Sequence, residues 1–260
     1  NSGALSEDGG GLLLYEGSFV IEGCFFSGNS AGDDGGGMQA EGNFVDTIIR
    51  DCVFDGNTAQ DEGGGLSLLS TSGVEVTGCL FSGNSADFGG GLEGNYGSYD
   101  VSNCLFVDNT AQRGGGAMDY QTDTTSYVNC LFYSNDADVG SGGGLHAEDG
   151  ANTTVANSIF WGNNAYEIDE QMASVTVVRC LVQGGYSGGT GVIDDDPLFL
   201  DPATGNFHLT AGSPCIDAGQ GDLAPELDKD GNARVDDPSV ANTGQGDPDY
   251  ADIGPFEYQP

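Results

Sequence analysis

The side chains able to do chemistry in this sequence are overwhelmingly carboxylic. Its 260 residues carry 41 Asp and Glu against 5 Lys and Arg, for a net charge of −36, with two histidines and seven cysteines. Carboxylates at this density suit hard cations held by oxygen ligands, general acid–base pairs, or a solvated acidic coat. The charge argues against nucleic acid and anionic membrane surfaces as partners, because phosphate binding needs clustered Lys and Arg. No apolar run is long enough to cross a membrane as a helix. The acids gather in two places. One is a set of turns: Glu7-Asp8, Asp33-Asp34, Asp61-Glu62 and Asp87, each just before glycines. Stacked carboxylates repel, and Ca²⁺, which takes roughly six to eight oxygen ligands, would relieve that; the same residues also read as a plain solvated face. The other is Asp228-Lys229-Asp230-Gly231-Asn232 with Asp236 and Asp237. Oxygen ligands at alternate positions beside a Gly turn resemble a calcium loop without its flanking helices.

Catalytic constellations are harder to find. A polysaccharide lyase needs Arg or Lys to bind and acidify a uronate, and Arg50, Arg113, Arg179, Lys229 and Arg234 form no column in the repeat. A glycoside hydrolase needs only two carboxylates about 5–9.5 Å apart. Asp55 or Asp108 could supply one, but so could many others. His146 sits on a strand at a position read as outward, and His208 is read as structural. No motif places a Ser or Cys as nucleophile. The glycine triplets lack the Lys-Ser/Thr of a phosphate cradle. Tyr15, Tyr133 and Trp161 occupy outward positions, where they suit sugar rings, a subunit interface or a packed tail.

The elements that hold these residues come from a repeat. Cys24-Phe25-Phe26-Ser27-Gly28-Asn29 recurs at Cys52, Cys79, Cys104, Cys130 and Ser158, at intervals of 28, 27, 25, 26 and 28 residues. An Ala follows each Asn by two positions, from Ala31 to Ala165, and a glycine triplet follows in the first five copies. Apolar residues alternate rather than recurring with helical period. The positions three and five before each Cys, the Cys, and the Phe two later share one parity, so one face of successive short strands points inward. Three strands and three turns per 25–28 residues predict one coil of a parallel β-helix. About seven coils at about 4.8 Å each make a rod of roughly 30 Å. Phe26, Phe54, Phe81, Phe106, Phe132 and Phe160 are expected to stack. The Asn column is expected to bond amide to amide, with its residues in left-handed turn geometry. Five cysteines share a position at coil spacing, too far apart for bridges, and read as buried thiols. A disulfide framework or soft-metal ladder is the alternative.

The Phe-x-x-Asn and Gly-Gly-Gly repeats resemble those of pectate-lyase-like right-handed parallel β-helices, closest to polymorphic outer membrane proteins. The tail resembles the choice-of-anchor region of secreted bacterial β-helix proteins. It carries Asp196-Pro197-Leu198-Phe199, Gly205-Asn206-Phe207-His208-Leu209, Ser213-Pro214-Cys215-Ile216-Asp217-Ala218-Gly219 and Asp252-Ile253-Gly254-Pro255-Phe256-Glu257. The resemblance implies the right-handedness of the coil, a bacterial or archaeal, secreted or cell-surface setting, and, as the alternative to a calcium loop at 228–237, an ion pair from Arg234 to Asp252 or Glu257 that ties the tail together. Asn1-Ser2 reads as the Asn of a coil whose Cys-x-Phe is absent, so the rod is expected to open partway round an uncapped coil. Trimming explains that end, or a second subunit stacks on it.

Together these features predict an all-β protein: a β-helix over residues 1–183 and an irregular extension over 184–260 that packs on the last coil or along a flank. The favoured function is a non-catalytic structural or adhesive solenoid, calcium-stabilised through Asp33, Asp34, Asp61, Glu62, Asp228, Asp230, Asn232 and Asp236, self-associating end to end. A carbohydrate-active enzyme, hydrolase before lyase, or a carbohydrate-binding surface protein is the alternative. A groove with convergent carboxylates would favour the enzyme.

Overall fold

The computed structural model of the protein describes residues 8–138 and 140–260. Asn1-Ser2 and Glu7 lie outside the described residues. The repeat builds a parallel solenoid. Its short strands, Phe25–Ser27, Val53–Asp55, Leu80–Ser82, Leu105–Val107, Leu131–Tyr133, Ile159–Trp161 and Leu181–Val182, pair in chain order as one sheet. Register is position for position, as in Phe54 with Phe81 and Phe81 with Phe106. The seventh strand shows that Cys180 continues the cysteine column: its sulfur accepts the Ser158 amide at 3.4 Å.

The other two expected strands are fused in the middle coils. Met38–Arg50, Leu66–Thr77, Leu92–Ser102 and Ala117–Val128 are single long strands bent by bulges. The bend is local: Ser70, Tyr96 and Gln121 take positive φ, which re-aims the chain without breaking the ladder. Gly142–Glu148 and Asn152–Ala156 show the same path cut in two. The third side is reduced to bridges, such as Ser30 with Thr58 and Thr58 with Ser85.

The interior follows the columns. Successive phenylalanine rings stack at 4.4–4.9 Å, tilted by 8° or less. In the asparagine column the Asn57 side-chain amide donates to Asn84 Oδ1 at 3.0 Å and to the Phe26 carbonyl at 2.8 Å. The backbone amide of Asn57 donates to the same Oδ1 at 3.0 Å. Left-handed geometry falls on the residue before each Asn instead (Gly28, Gly56, Gly83, Asp108, Ser134 and Gly162), because the asparagines stay extended to reach the next coil. All seven cysteines are free thiols, six of them buried. The aspartate Asp119 is also interior. It accepts from Tyr99 Oη, Tyr127 Oη (2.9 Å), Thr125 Oγ1 (2.8 Å) and Thr153 Oγ1 (2.5 Å).

The tail runs along a flank. Phe207, Leu209, Ile216, Ile253 and Phe256 cover the outer face of the short-strand sheet at Leu105, Leu131, Ile159 and Leu181. Polar anchors come from the corner residue before each Cys. Asn103 donates to the Leu227 carbonyl, Asn129 to those of Asp252 and Gly254, Asn157 to that of Gln220, and Arg179 to that of Thr243. Residues 184–195 close the last coil: Leu181 bridges Ile193, and Tyr186 and Val192 pack against the core.

Removing one ring from the stack should be costly, because the column cannot collapse without shifting every coil. Phe81→Ala is expected to lower unfolding free energy by about 3–5 kcal/mol, measured by urea denaturation. A second outcome concerns the end of the asparagine column, where Glu167 replaces the missing next Asn and accepts from the Asn163 side chain at 2.5 Å. Burial raises its carboxyl from 4.5 to about 7. The folded chain keeps this proton where the unfolded chain has released it, so the contribution is complete below about pH 4.5 and lost as pH rises through 7. Relative to Glu167→Gln, the wild type should lose roughly 1–3 kcal/mol over that interval. Parallel stability curves across the interval would disprove it.

Candidate functional site

The outer face of the long strands carries a column that a solvated sheet would not bury. Gln39, Ser67, Glu93, Met118 and His146 stand in register on successive coils, and each is at most 3% exposed. What covers them is the turn between each Ala and the following glycines. The first glycine of the triplet has φ near +60° at Gly35, Gly63, Gly89 and Gly114. A Cβ on Gly89 would meet the Glu93 Cβ at 2.6 Å, and one on Gly114 would meet the Met118 Cβ at 2.6 Å. Only glycine lets the chain lie this close to the strand it is about to enter.

The turns therefore become a wall, and wall and strand enclose a groove. Glu62, Phe88 and Arg113 are bridged coil to coil along the wall. Asn95, Tyr120 and Glu148 align on the other side. The cavity is about 340 Å³, lined by Glu62, Phe88, Glu93, Arg113, Met118, Tyr120, Glu148 and Asp149. Arg113 places its guanidinium carbon 5.4 Å from the Phe88 ring centre and bonds Glu148 at 2.6 Å. His146 is buried rather than facing solvent, since the wall covers its strand face. Its nitrogens lie 3.2 Å from Glu148 and 3.0 Å from Asp169.

Carboxyls meet at one end of this groove. Glu62 accepts the Asn95 amide at 2.8 Å, and Glu93 shares a proton contact with Glu62. Burial first, then the charges of Glu62 and Asp34, pushes Glu93 well up. Burial likewise raises Glu62. Four buried polar atoms nearby find no hydrogen-bond partner: Gln39 Oε1, Ser67 Oγ, Glu93 Oε2 and Asn95 Oδ1.

The residues expected to bind calcium fall into three groups. Asp33 and Asp34 come together with Asp8, with oxygens within 4.8 Å of one another. Burial, then Glu62 and Asp33, raises Asp34 to about 7. Asp61 lies near Asp33 and Asp87 on the acidic turns, while Glu62 turns into the groove. In the tail, Asp228 accepts the backbone amides of Asp230, Asn232 and Glu257 and the Asn232 side chain. Its oxygens are thus filled by N–H donors and hold a turn together. Asp230 faces His208 at 2.7 Å, and Asp236 is exposed. Arg234 pairs with Glu257 at 2.8 Å, the second of its two expected partners.

Other aromatic expectations shift as well. Tyr133 and Trp161 are covered by the tail, with Tyr133 5.0 Å from Phe207. Phe88, Tyr120 and Glu93 were not singled out by the sequence. Their signal was present in spacing: Phe88 precedes a triplet directly, and Glu93 follows one by two residues.

Comparison with known proteins bears on the fold. Residues 1–106 match the family described as "Right handed beta helix region". No curated protein matches the chain, and no solved structure does. The solenoid is an all-β, right-handed parallel β-helix.

Proposed function

We propose that this β-helix is a non-catalytic, carbohydrate-binding adhesive protein displayed outside the cell, with the groove over Glu93 as its binding site. One observation carries the reading: the groove sets the rings of Phe88 and Tyr120 beside the polar side chains of Glu62, Arg113, Glu148 and Asp149. That combination suits a sugar, whose ring faces pack on aromatic surface while its hydroxyls satisfy convergent polar groups. Net charge of −36 turns the preference away from polyuronates and toward neutral or cationic glycans. Calcium at Asp8, Asp33 and Asp34 would neutralise the turns that form the neighbouring wall.

A specific observation favours hydrolysis as the second reading. Glu93 and Glu62 bring two carboxyl groups together in one groove, and burial raises both. They are in contact rather than separated by the roughly 5–9.5 Å that a glycosidic bond requires, and Glu93 is 1% exposed. Binding is therefore preferred. A head-to-tail fibre finds less support, because Tyr186 and Val192 cover the last coil.

The test is a screen of neutral, amino and acidic oligosaccharides, followed by calorimetry on the best ligand. Phe88→Ala and Tyr120→Ala are each expected to weaken binding about tenfold with the solenoid intact by circular dichroism. Absence of binding across the panel, or indifference to both variants, would overturn the site. Release of reducing sugar that disappears in Glu93→Gln would move the assignment to a hydrolase.

A further inference from the structure

Away from the groove, the tail buries a carboxylate that no side chain bonds. Asp217 is 0% exposed, and neither of its side-chain oxygens has a hydrogen-bond partner. Its backbone is pinned on both sides. The amide donates to Asp252 Oδ1 at 2.8 Å, and the carbonyl accepts from Thr243 and Gly244 at 2.8 Å each. Its φ of +52° fixes the direction of the side chain further. The residue cannot easily turn to water.

Its surroundings are anionic. Burial first, then the charges of Asp236, Asp237 and Glu257, raises Asp217 to about 6, against the Asp237 backbone amide, which faces the carboxylate and lowers it. Neither arginine of the region bonds it, although Arg234 Nη2 and Arg179 Nε are themselves without a hydrogen bond. Arg234 bonds Glu257 and the Pro225 carbonyl, and Arg179 bonds the Thr243 carbonyl. Asp237 gives Oδ1 to the amide and hydroxyl of Ser239, and no hydrogen bond occupies its second oxygen. Asp236 is exposed and has no hydrogen bond. A buried carboxylate among other carboxylates, with one backbone amide turned toward it and no side-chain donor, is a costly arrangement unless a cation completes it.

We propose that Asp217, with Asp236 and Asp237, is a cation site of the tail and that its ligand is Ca²⁺. All the available ligands are hard oxygens, and Ca²⁺ accepts irregular sets of carboxylates, carbonyls and water where Mg²⁺ demands a near-octahedral one. Among the described residues the trio whose oxygens converge within 4.8 Å is Asp8, Asp33 and Asp34. At the tail, the exposed Asp236 must therefore swing toward the fixed Asp217 as the ion enters. The site differs from the calcium loop expected at Asp228, Asp230 and Asn232, and it does not depend on glycan binding.

The experiment is calorimetric titration of the whole chain with CaCl₂ in about 0.15 M salt, which screens the general acidity. Four proteins are compared: wild type, Asp217→Asn, Asp236→Asn, and the double variant Asp33→Asn/Asp34→Asn. The expected result is a saturable site that survives the double variant and weakens at least about tenfold in Asp217→Asn and Asp236→Asn. Asp236→Asn is on the surface and should fold normally, so it decides the matter if Asp217→Asn does not fold. No saturable site in the wild type, an unchanged isotherm in Asp236→Asn, or loss of the site in the double variant would overturn the proposal.

Discussion

Every inward side chain of this protein must share a column with its counterpart one coil away, at a spacing set by the backbone hydrogen bonds of a parallel sheet. That spacing, about 4.8 Å, is too long for stacked rings to overlap unless they are parallel and too short to hold different shapes in succession. The phenylalanines answer it with near-parallel rings 4.4–4.9 Å apart. The asparagines answer it with an amide that donates to one neighbouring coil and accepts from the other. Neither solution tolerates a lone exception without a local remedy, and the exceptions are informative. Ser158 stands in the thiol column and bonds the Tyr127 and Ala156 carbonyls, which a sulfur would reach less well. Asp119 enters the interior only because two tyrosines and two threonines supply four hydroxyls to it. Gly94, one coil earlier, leaves the space for the Tyr99 hydroxyl that a Cβ would fill at 2.3 Å.

The same constraint explains why two outer faces of the rod differ. The corner residue before each cysteine takes positive φ in every coil: Gly23, Asp51, Gly78, Asn103, Asn129, Asn157 and Arg179. Early coils use glycine or aspartate there. Later coils use asparagine and arginine, whose side chains reach carbonyls of the tail. So the tail sits where the corner column offers donors, and it covers the apolar outer face of the same coils. The long-strand face has no such cover. There the glycine-cornered turns rise beside the strands and leave a groove between them, with Glu93 and His146 buried at its base.

Much of this was legible in the sequence, and the physics says which part. Columns repeat, so the Phe, Asn, Cys and Ala positions and their parity could be read from one chain. The fused long strands could not, because the bulge residues Ser70, Tyr96 and Gln121 share no residue type. The groove was missed for a related reason. Its lining changes identity from coil to coil (Ser67, Glu93, Met118, His146), and only the glycine before each is constant. The tail motifs gave Arg234 two candidate partners, and the choice of Glu257 over Asp252 depended on packing that has no period.

A rod with this many carboxylates must spread them or neutralise them, and it does each in a different place. On the turns Asp33 and Asp61 face water, where salt screens their repulsion, while the half-buried Asp34 is raised by burial and by its acidic neighbours. In the groove, burial and the neighbouring Glu62 push the Glu93 carboxyl well up. In the tail, Arg234 neutralises Glu257 while Asp252 takes its bonds from the backbone amides of Asp217 and Tyr258. Asp217 has only the Asp237 backbone amide turned toward its carboxylate. The motif around it folds the chain so that its backbone bonds are complete while its carboxylate is shut in with other anions. A purely structural role would be filled as well by asparagine, which lacks the charge and brings its own donors. The charge itself therefore points to a cationic partner at that position.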